Sequence, residues 1–248
     1  MKILLVGDTC HDIYHFGRCR RLNHEAPVPI LDEEYSEVRA GMSSNVFLNL
    51  KNFGLDVTHF KGNGNIQKHR LVDLTYKQQL LRYDVSEMEV KKFNIGEIED
   101  DYDILVISDY DKGFITDDVA VQLCSLYKDK PVFVDSKKPD LSCFKNSFIK
   151  INKFESQNIK NITRCSELIV TLGAGGASYN GKVFKTKKVD VYDVCGAGDI
   201  FLASLVFGYT KNKNIEQSIK IANKFAGYAV TKLGSYVLTK EDIEILQQ

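Results

Sequence analysis

Three short runs, Ile3–Val6, Ile104–Ile107 and Val132–Val134, are continuously apolar, and each ends against a polar or charged residue. A strand buried on both faces of a parallel sheet reads this way, with useful chemistry at its C-terminal tip. Between these runs the apolar positions take helical spacing. Val46, Phe47, Leu50 and Phe53 mark a helix over 43–53, with Gly54 placed to end it. Residues 116–127 open on Thr-Asp-Asp, an N-cap followed by an acidic first turn. Two longer helices are predicted over about 197–209 and 215–232. This alternation predicts an α/β fold, a doubly wound, mostly parallel sheet flanked by helices. Residues 28–39 and 69–83 break the rhythm, because they lack caps and partly alternate between glycines 17, 41, 62 and 64. They are expected to form antiparallel strands of a small β-strand lid, within about 14–40 and 67–84, on a single domain spanning 1–248.

Composition narrows the function classes. The chain has 248 residues, enough for one large α/β domain with its own core, and 44% are hydrophobic. The 33 basic and 33 acidic residues cancel, so the broad basic field of a nucleic-acid or anionic-membrane binder is absent. One local phosphate site is still compatible with that balance. Six cysteines, at 10, 19, 124, 143, 165 and 195, show neither C-x-x-C nor zinc spacing, so reduced thiols of a cytoplasmic protein are expected. The apolar run near the N-terminus is too short for a signal peptide, and no stretch approaches a membrane span.

The strongest local motif is Asp193-Val-Cys-Gly-Ala-Gly-Asp199, running straight into an apolar helix. Gly196, Ala197 and Gly198 offer backbone N–H groups at the positive end of that helix, an anion cradle. Asp199 in the same turn can act as a general base toward a substrate hydroxyl. By itself the motif also fits a plain helix start with small residues. Thr171-Leu-Gly-Ala-Gly-Gly176 follows a strand over 167–170 and suits either a nucleotide phosphate or a hairpin turn. Ala40-Gly-Met-Ser-Ser-Asn45 is either a close-approach pocket floor or a capped helix start. Asp8 and Asp12 after the first strand suit sugar hydroxyls or turn chemistry. Ser108-Asp-Tyr-Asp-Lys-Gly113 and Asp135-Ser-Lys-Lys138 set a carboxylate and a lysine at strand tips, as phosphate contacts or solvated loops. Asn152-x-x-Glu155 has donors suited to hydrated Mg²⁺. A P-loop and a G-x-G-x-x-G turn are both absent. Gly41-Met-Ser43-Ser-Asn45 is an incomplete nucleophile elbow, and no histidine is placed by sequence to serve it.

In this order the motifs resemble the ribokinase/PfkB carbohydrate kinase family, and within it the D-glycero-D-manno-heptose-7-phosphate kinase branch, the kinase half of the bifunctional ADP-heptose synthesis enzyme. The segments carrying the likeness are VGDTCHDIYHFG, Asn23 to Pro29, Arg39 to Val46, Gln78 to Asp84, SDYDKG, Asp135 to Lys137, Asn152-x-x-Glu155, Val191 to Asp199, Ala222-Asn223 and Thr231 to Ser235. The resemblance implies a ribokinase-like fold and an ATP-dependent, Mg²⁺-requiring transfer of the γ-phosphoryl group to the anomeric hydroxyl of a heptose 7-phosphate. It implies Asp199 as catalytic base and Gly196, Ala197 and Gly198 as anion hole. Asp12, Gly41, Asn45 and Lys112 would bind substrate. Lys137, Thr171, Gly173, Gly176 and Asn223 would bind nucleotide, and Asn152 and Glu155 would organise the metal. It also implies a homodimer through the lid strands, with no nucleic-acid or membrane partner. Met42 replaces the second glycine of the family's sugar loop. Set against that family, shortenings are expected after Phe60 and between Glu155 and Glu167, with no nucleotidyltransferase half expected within residues 1–248. Another sugar or sugar phosphate as acceptor, and a trimmed non-catalytic sugar- or nucleotide-binding module, are the alternatives. A hydrolase built on Ser43 is more remote.

Overall fold

The computed structural model describes residues 1–62, 64–86 and 90–247. The first six strands are β1 (Lys2–Gly7), β2 (Thr9–Leu22), β3 (Pro29–Met42), β4 (Asp56–Lys61), β5 (Ile66–Asp73) and β6 (Gln78–Ser86). The next six are β7 (Ile104–Asp109), β8 (Val132–Ser136), β9 (Phe148–Asn152), β10 (Glu167–Thr171), β11 (Ala177–Tyr179) and β12 (Lys182–Phe184). Helices are α1 (Ser43–Asn52), α2 (Asp117–Leu126), α3 (Lys153–Ser156), α4 (Ala197–Asn212), α5 (Ile215–Ala229) and α6 (Lys240–Gln247).

Eight strands form the central sheet in the order β12-β11-β10-β9-β8-β7-β1-β4. From β4 to β10 every pairing is parallel, and β10-β11-β12 closes as an antiparallel meander. The apolar runs seen in the sequence are explained by burial on two faces. Ile3, Leu5, Ile104, Val106 and Phe133 pack toward α1, α4 and α5, while Leu4, Val6, Leu105, Ile107 and Val134 pack toward α2. Neither set can be polar, so no alternation survives. Helix α4 is buried along Asp199–Gly208, which makes it the central helix of its layer. Helix α1 ends as expected, with Gly54 at φ 77°. Helix α2 starts where expected, but its N-cap Thr116 makes no side-chain capping bond.

The lid is a separate four-stranded sheet, ordered β3-β2-β5-β6. Its strands span 9–42 and 66–86, slightly more than expected. The antiparallel expectation holds for β2–β3 and β5–β6, but β2 and β5 pair in parallel. Residues 69–83 are not one strand, because the chain turns between β5 and β6. The Asp73 carboxylate accepts the backbone N–H of Tyr76 (2.9 Å) and of Cys19 (3.0 Å), and Lys77 takes φ 53°. Only Asp8 separates β1 from β2, so the chain passes directly from core sheet to lid. The shortenings are visible too. Strand β4 ends at Lys61 and β5 begins at Ile66, with Asn63 of that link outside the described residues, and no helix lies between α3 and β10. The six thiols are free, and among the described residues no helix is long and apolar enough to cross a membrane.

Candidate active site

The site forms where the C-terminal tips of β1, β7, β8 and β9 meet the N-terminus of α4. Gly196 caps α4 at φ 73°, a left-handed conformation that frees the turn for glycine. The Ala197 N–H already donates to Val194 O (3.2 Å). The Gly198 N–H has no backbone acceptor among the described residues, and it sits at the positive end of a 16-residue helix. A Cβ on Gly198 would stand 2.8 Å from Lys150 Nζ. The cradle is therefore backed by a buried ammonium.

Asp199 follows the cradle and is 4% exposed. Tyr110, just past β7, donates its hydroxyl to Asp199 Oδ1 (2.8 Å). Burial, helped by the nearby Asp135 charge, pushes the Asp199 carboxyl up to about 7. A carboxyl poised there is suited to general-base work near neutral pH. Asp135 bonds Lys150 (2.6 Å) and Lys137 (3.3 Å), and Lys137 reaches Glu155 (2.7 Å). Burial works to raise the Asp135 carboxyl, but Lys150 and Lys137 hold it below the ordinary range.

On the lid side, Asp12 accepts from Arg70 through Oδ1 (2.9 Å) and from Ser235 through Oδ2 (2.6 Å). Gly41 lies against it. A Cβ there would fall 2.5 Å from Asp12 Oδ2 and 2.6 Å from Cys10 Sγ, so the close approach demands glycine. Asn45 is fully buried, donates to Tyr236 O (3.1 Å) and accepts from Asn49 (2.9 Å). It ties α1 to the 231–236 loop. Lys112 does not converge. Its backbone N–H reaches Asp8 Oδ2 (3.4 Å), while the residue itself is exposed.

On the other side of Gly198 a cavity of about 350 Å³ opens. Ala197 and Gly198 line its cradle end, Thr171, Gly173 and Gly176 one wall, and Asn223, Ala226 and Val230 the other. The glycine-rich segment is thus both a tight turn into β11 and a cavity wall. Asn223 donates to Phe184 O (2.7 Å), and Thr171 donates to Ile151 O (3.3 Å). Lys137 does not line this cavity and sits instead in the carboxylate network.

Asn152 and Glu155 form a capping box on α3: Asn152 Oδ1 accepts from Glu155 N (2.8 Å), and Glu155 Oε2 accepts from Asn152 N (2.7 Å). With its other oxygen on Lys137, Glu155 is no open inner ligand. Among the described residues no three metal-ligating side chains cluster. The donors fit a hydrated Mg²⁺ held through water beside phosphates rather than an all-protein cage.

Sequence reasoning assigned no role to Tyr110, Lys150, Arg70 and Ser235. Tyr110 and Ser235 carried a signal, through the SDYDKG strand tip and the Thr231 to Ser235 segment. Lys150 and Arg70 are brought in by sheet pairing. Ser43 does meet a histidine, His59 Nε2 at 2.9 Å. Ser43 is fully buried there.

Comparison with known proteins bears on this geometry. A family model described as pfkB family carbohydrate kinase matches residues 153–242, the stretch holding Asn152's partner Glu155, the cavity wall, the cradle and Asp199. The Bifunctional protein HldE of Nitratiruptor sp. is 31% identical over 299 residues, covering 98% of this chain and 64% of that protein. The chain carries a pfkB family carbohydrate kinase match over residues 153–242. The HldE of Campylobacter jejuni strain RM1221 is 30% identical over 293 residues, again with 98% of this chain and 64% of the relative covered. The chain spans under two thirds of the length of these pfkB relatives. The alignments exceed its own 248 residues, consistent with the shortened loops. Among solved structures, a ribokinase from Thermotoga maritima superposes with TM-score 0.74 at 17% identity, covering 99% of this chain and 98% of that one. Phosphofructokinase-2 from Escherichia coli with substrates and products gives 0.75 at 15%, covering 98% and 97%. At such identity these two speak for the ribokinase-like fold.

Proposed function

We propose that the protein is an ATP-dependent sugar kinase that transfers a γ-phosphoryl group to a sugar hydroxyl. The observation that carries this reading is the buried Asp199 at the start of α4, set between the lid-side cluster of Asp12, Gly41 and Asn45 and the cavity lined by Thr171, Gly173, Gly176, Ala197 and Gly198. The finer reading takes the anomeric hydroxyl of D-glycero-D-manno-heptose 7-phosphate as acceptor. It is supported by the HldE relatives at about 30% identity, and by cationic Arg70 and Lys68 on the inner lid face.

In this scheme Asp12, Gly41 and Asn45 shape the acceptor pocket, and Asp199 takes the acceptor's proton. Gly196, Ala197 and Gly198 hold the transferred group at the helix terminus. Thr171, Gly173, Gly176 and Asn223 enclose the nucleotide, while Lys137 stays in the carboxylate network with Asp135 and Glu155. Mg²⁺ would neutralise phosphate charge, held through water by Glu155 and Asn152. Lys112 is exposed enough to reach a substrate phosphate at the lid mouth. Cytoplasmic location accords with the free thiols.

A coupled ADP-release assay over heptose, hexose and pentose phosphates tests the proposal. Turnover is expected only when an acceptor is present, and Asp199→Asn should lower kcat by about 10³-fold or more. Equal rates for wild type and Asp199→Asn would sink it. The short link from β4 to β5 favours one competing reading, a trimmed non-catalytic binding module. Calorimetric binding of nucleotide and sugar phosphate without turnover on any acceptor would select that reading.

A further inference from the structure

Tyr110 lies at a junction that the kinase reading leaves without a role. Its backbone N–H donates to the buried Asp8 carboxylate (2.7 Å), which pins it at the tip of β7. Its hydroxyl donates to Asp199 Oδ1 (2.8 Å). Two ammonium groups lie close to its ring: Lys68 Nζ from lid strand β5 at 5.2 Å and Lys137 Nζ from the core at 5.3 Å from the centroid. Met42 and Cys10 pack in the same small apolar cluster, so the ring is wedged between lid and core. Lys137 is already held by Asp135 and Glu155, whereas Lys68 makes no salt bridge among the described residues.

We propose that Tyr110 is the positioning residue of the phosphoryl-transfer site, fixing one oxygen of Asp199 so that the other faces the acceptor, and linking that orientation to the lid through Lys68. This rests on the reading of Asp199 as base. The chemistry is asymmetric in a useful way. A phenol hydroxyl given to Oδ1 occupies that oxygen with a proton it keeps, because burial and the Asp199 and Asp135 charges hold Tyr110 far above its ordinary range. Oδ2 accepts no hydrogen bond among the described residues, which makes it the oxygen that receives the acceptor's proton. Without the Tyr110 hydroxyl the carboxylate can rotate about χ2, and both oxygens compete for the acceptor.

The groups facing Asp199 are Tyr110 after β7, Asp135 from β8, Lys137 after β8, Lys150 from β9 and Cys10 from β2. Of these, Tyr110 and the two lysines lower its pKa, and burial and Asp135 raise it. Removing the hydroxyl therefore moves the acidic limb of the kcat profile to higher pH.

The decisive experiment measures kcat, KM for ATP and the pH profile for Tyr110→Phe, which keeps the ring and both cation contacts. Expected are a kcat lower by about 10- to 100-fold, KM for ATP within about twofold, and an acidic limb shifted upward. A wild-type kcat and limb, or a lower kcat on an unmoved limb, would overturn the proposal, the latter marking a merely structural side chain. Fluorotyrosine incorporated at position 110 gives an independent arm that does not depend on how the Phe variant folds. A stronger donor should shift the limb downward, opposite to Phe, and an unmoved limb would again count against the assignment. If wild type releases no ADP with any acceptor while still binding nucleotide, the kinase reading itself fails.

Discussion

Met42 holds φ 56° and ψ −135°, a conformation that glycine enters freely and other residues reach only with strain. The resemblance predicted a glycine there, and the fold kept the glycine backbone while accepting a side chain. Met42 is 2% exposed and packs against Cys10, Ile66 and Tyr110. Two opposed effects follow: strain of about 1–3 kcal/mol, and burial whose loss costs about 2–5 kcal/mol. Met42→Ala loses the burial and keeps the strain, whereas Met42→Gly loses both. Chemical denaturation should rank Met42→Gly above Met42→Ala by about 1 kcal/mol or more, the reverse of the usual Ala-over-Gly order. Asp199 yields a second residue-level expectation. Its carboxyl is raised from 3.8 to about 7, so the folded protein holds that proton more tightly than the unfolded chain. Stability is then lost as pH rises from about 4 through about 7. Asp199→Asn, which cannot ionise, should melt a few degrees above wild type at pH 8, and the gap should close toward pH 5. Wild-type kcat should rise with pH through about 7 as the base deprotonates.

At the level of elements, the core strands β1, β7, β8 and β10 and the long helices α4 and α5 were readable from pattern, whereas β4, β9, β11 and β12 of the same sheet were not. The lid was only half readable. Strands β2 and β3 each run 14 residues, yet one face meets the site with Asp12, Tyr14 and Arg39 while the other meets solvent, so no clean alternation appears. The parallel β2–β5 pairing is set by tertiary closure, which no local signal announces. Within the cavity wall, Gly176 at φ 91° is the element-level weak point. A Cβ there would stand 2.0 Å from Phe184 O, a backbone atom of β12. Gly176→Ala must displace the β11–β12 hairpin, and we expect nucleotide affinity to fall at least about 10-fold by calorimetry. An unchanged affinity would show that the hairpin does not wall the nucleotide site.

At the level of the whole molecule, the outer lid face sets Val38, Ile13, His69 and Tyr83 in one row across the four strands, with Leu81 and Val85 beside them. Val38 is 65% and Leu81 53% exposed, an apolar surface suited to a second copy. Sedimentation should show a dimer that Val38→Glu weakens, and a wild-type monomer at micromolar concentration would exclude it. The motif segments were legible from their order along the chain, and the fold places Asp12, Gly41, Asn45 and Asp199 near the strand tips and the start of α4. The contacts of Arg70 and Ser235 with Asp12 were not, since each joins it across the fold. The inner lid face is fastened to residues distant in sequence: Ser235 bonds Asp12, its N–H reaches the Tyr14 hydroxyl (2.9 Å), and Arg39 donates to Leu233 O (2.5 Å). These links close loops of nearly the whole chain, which makes them slow and late to form. A nascent chain can therefore complete its central strands and still have no acceptor pocket. The pocket comes into being only when residues 233–235 fold back onto β2 and β3, so the activity proposed for this protein also reports that this long-range closure has formed.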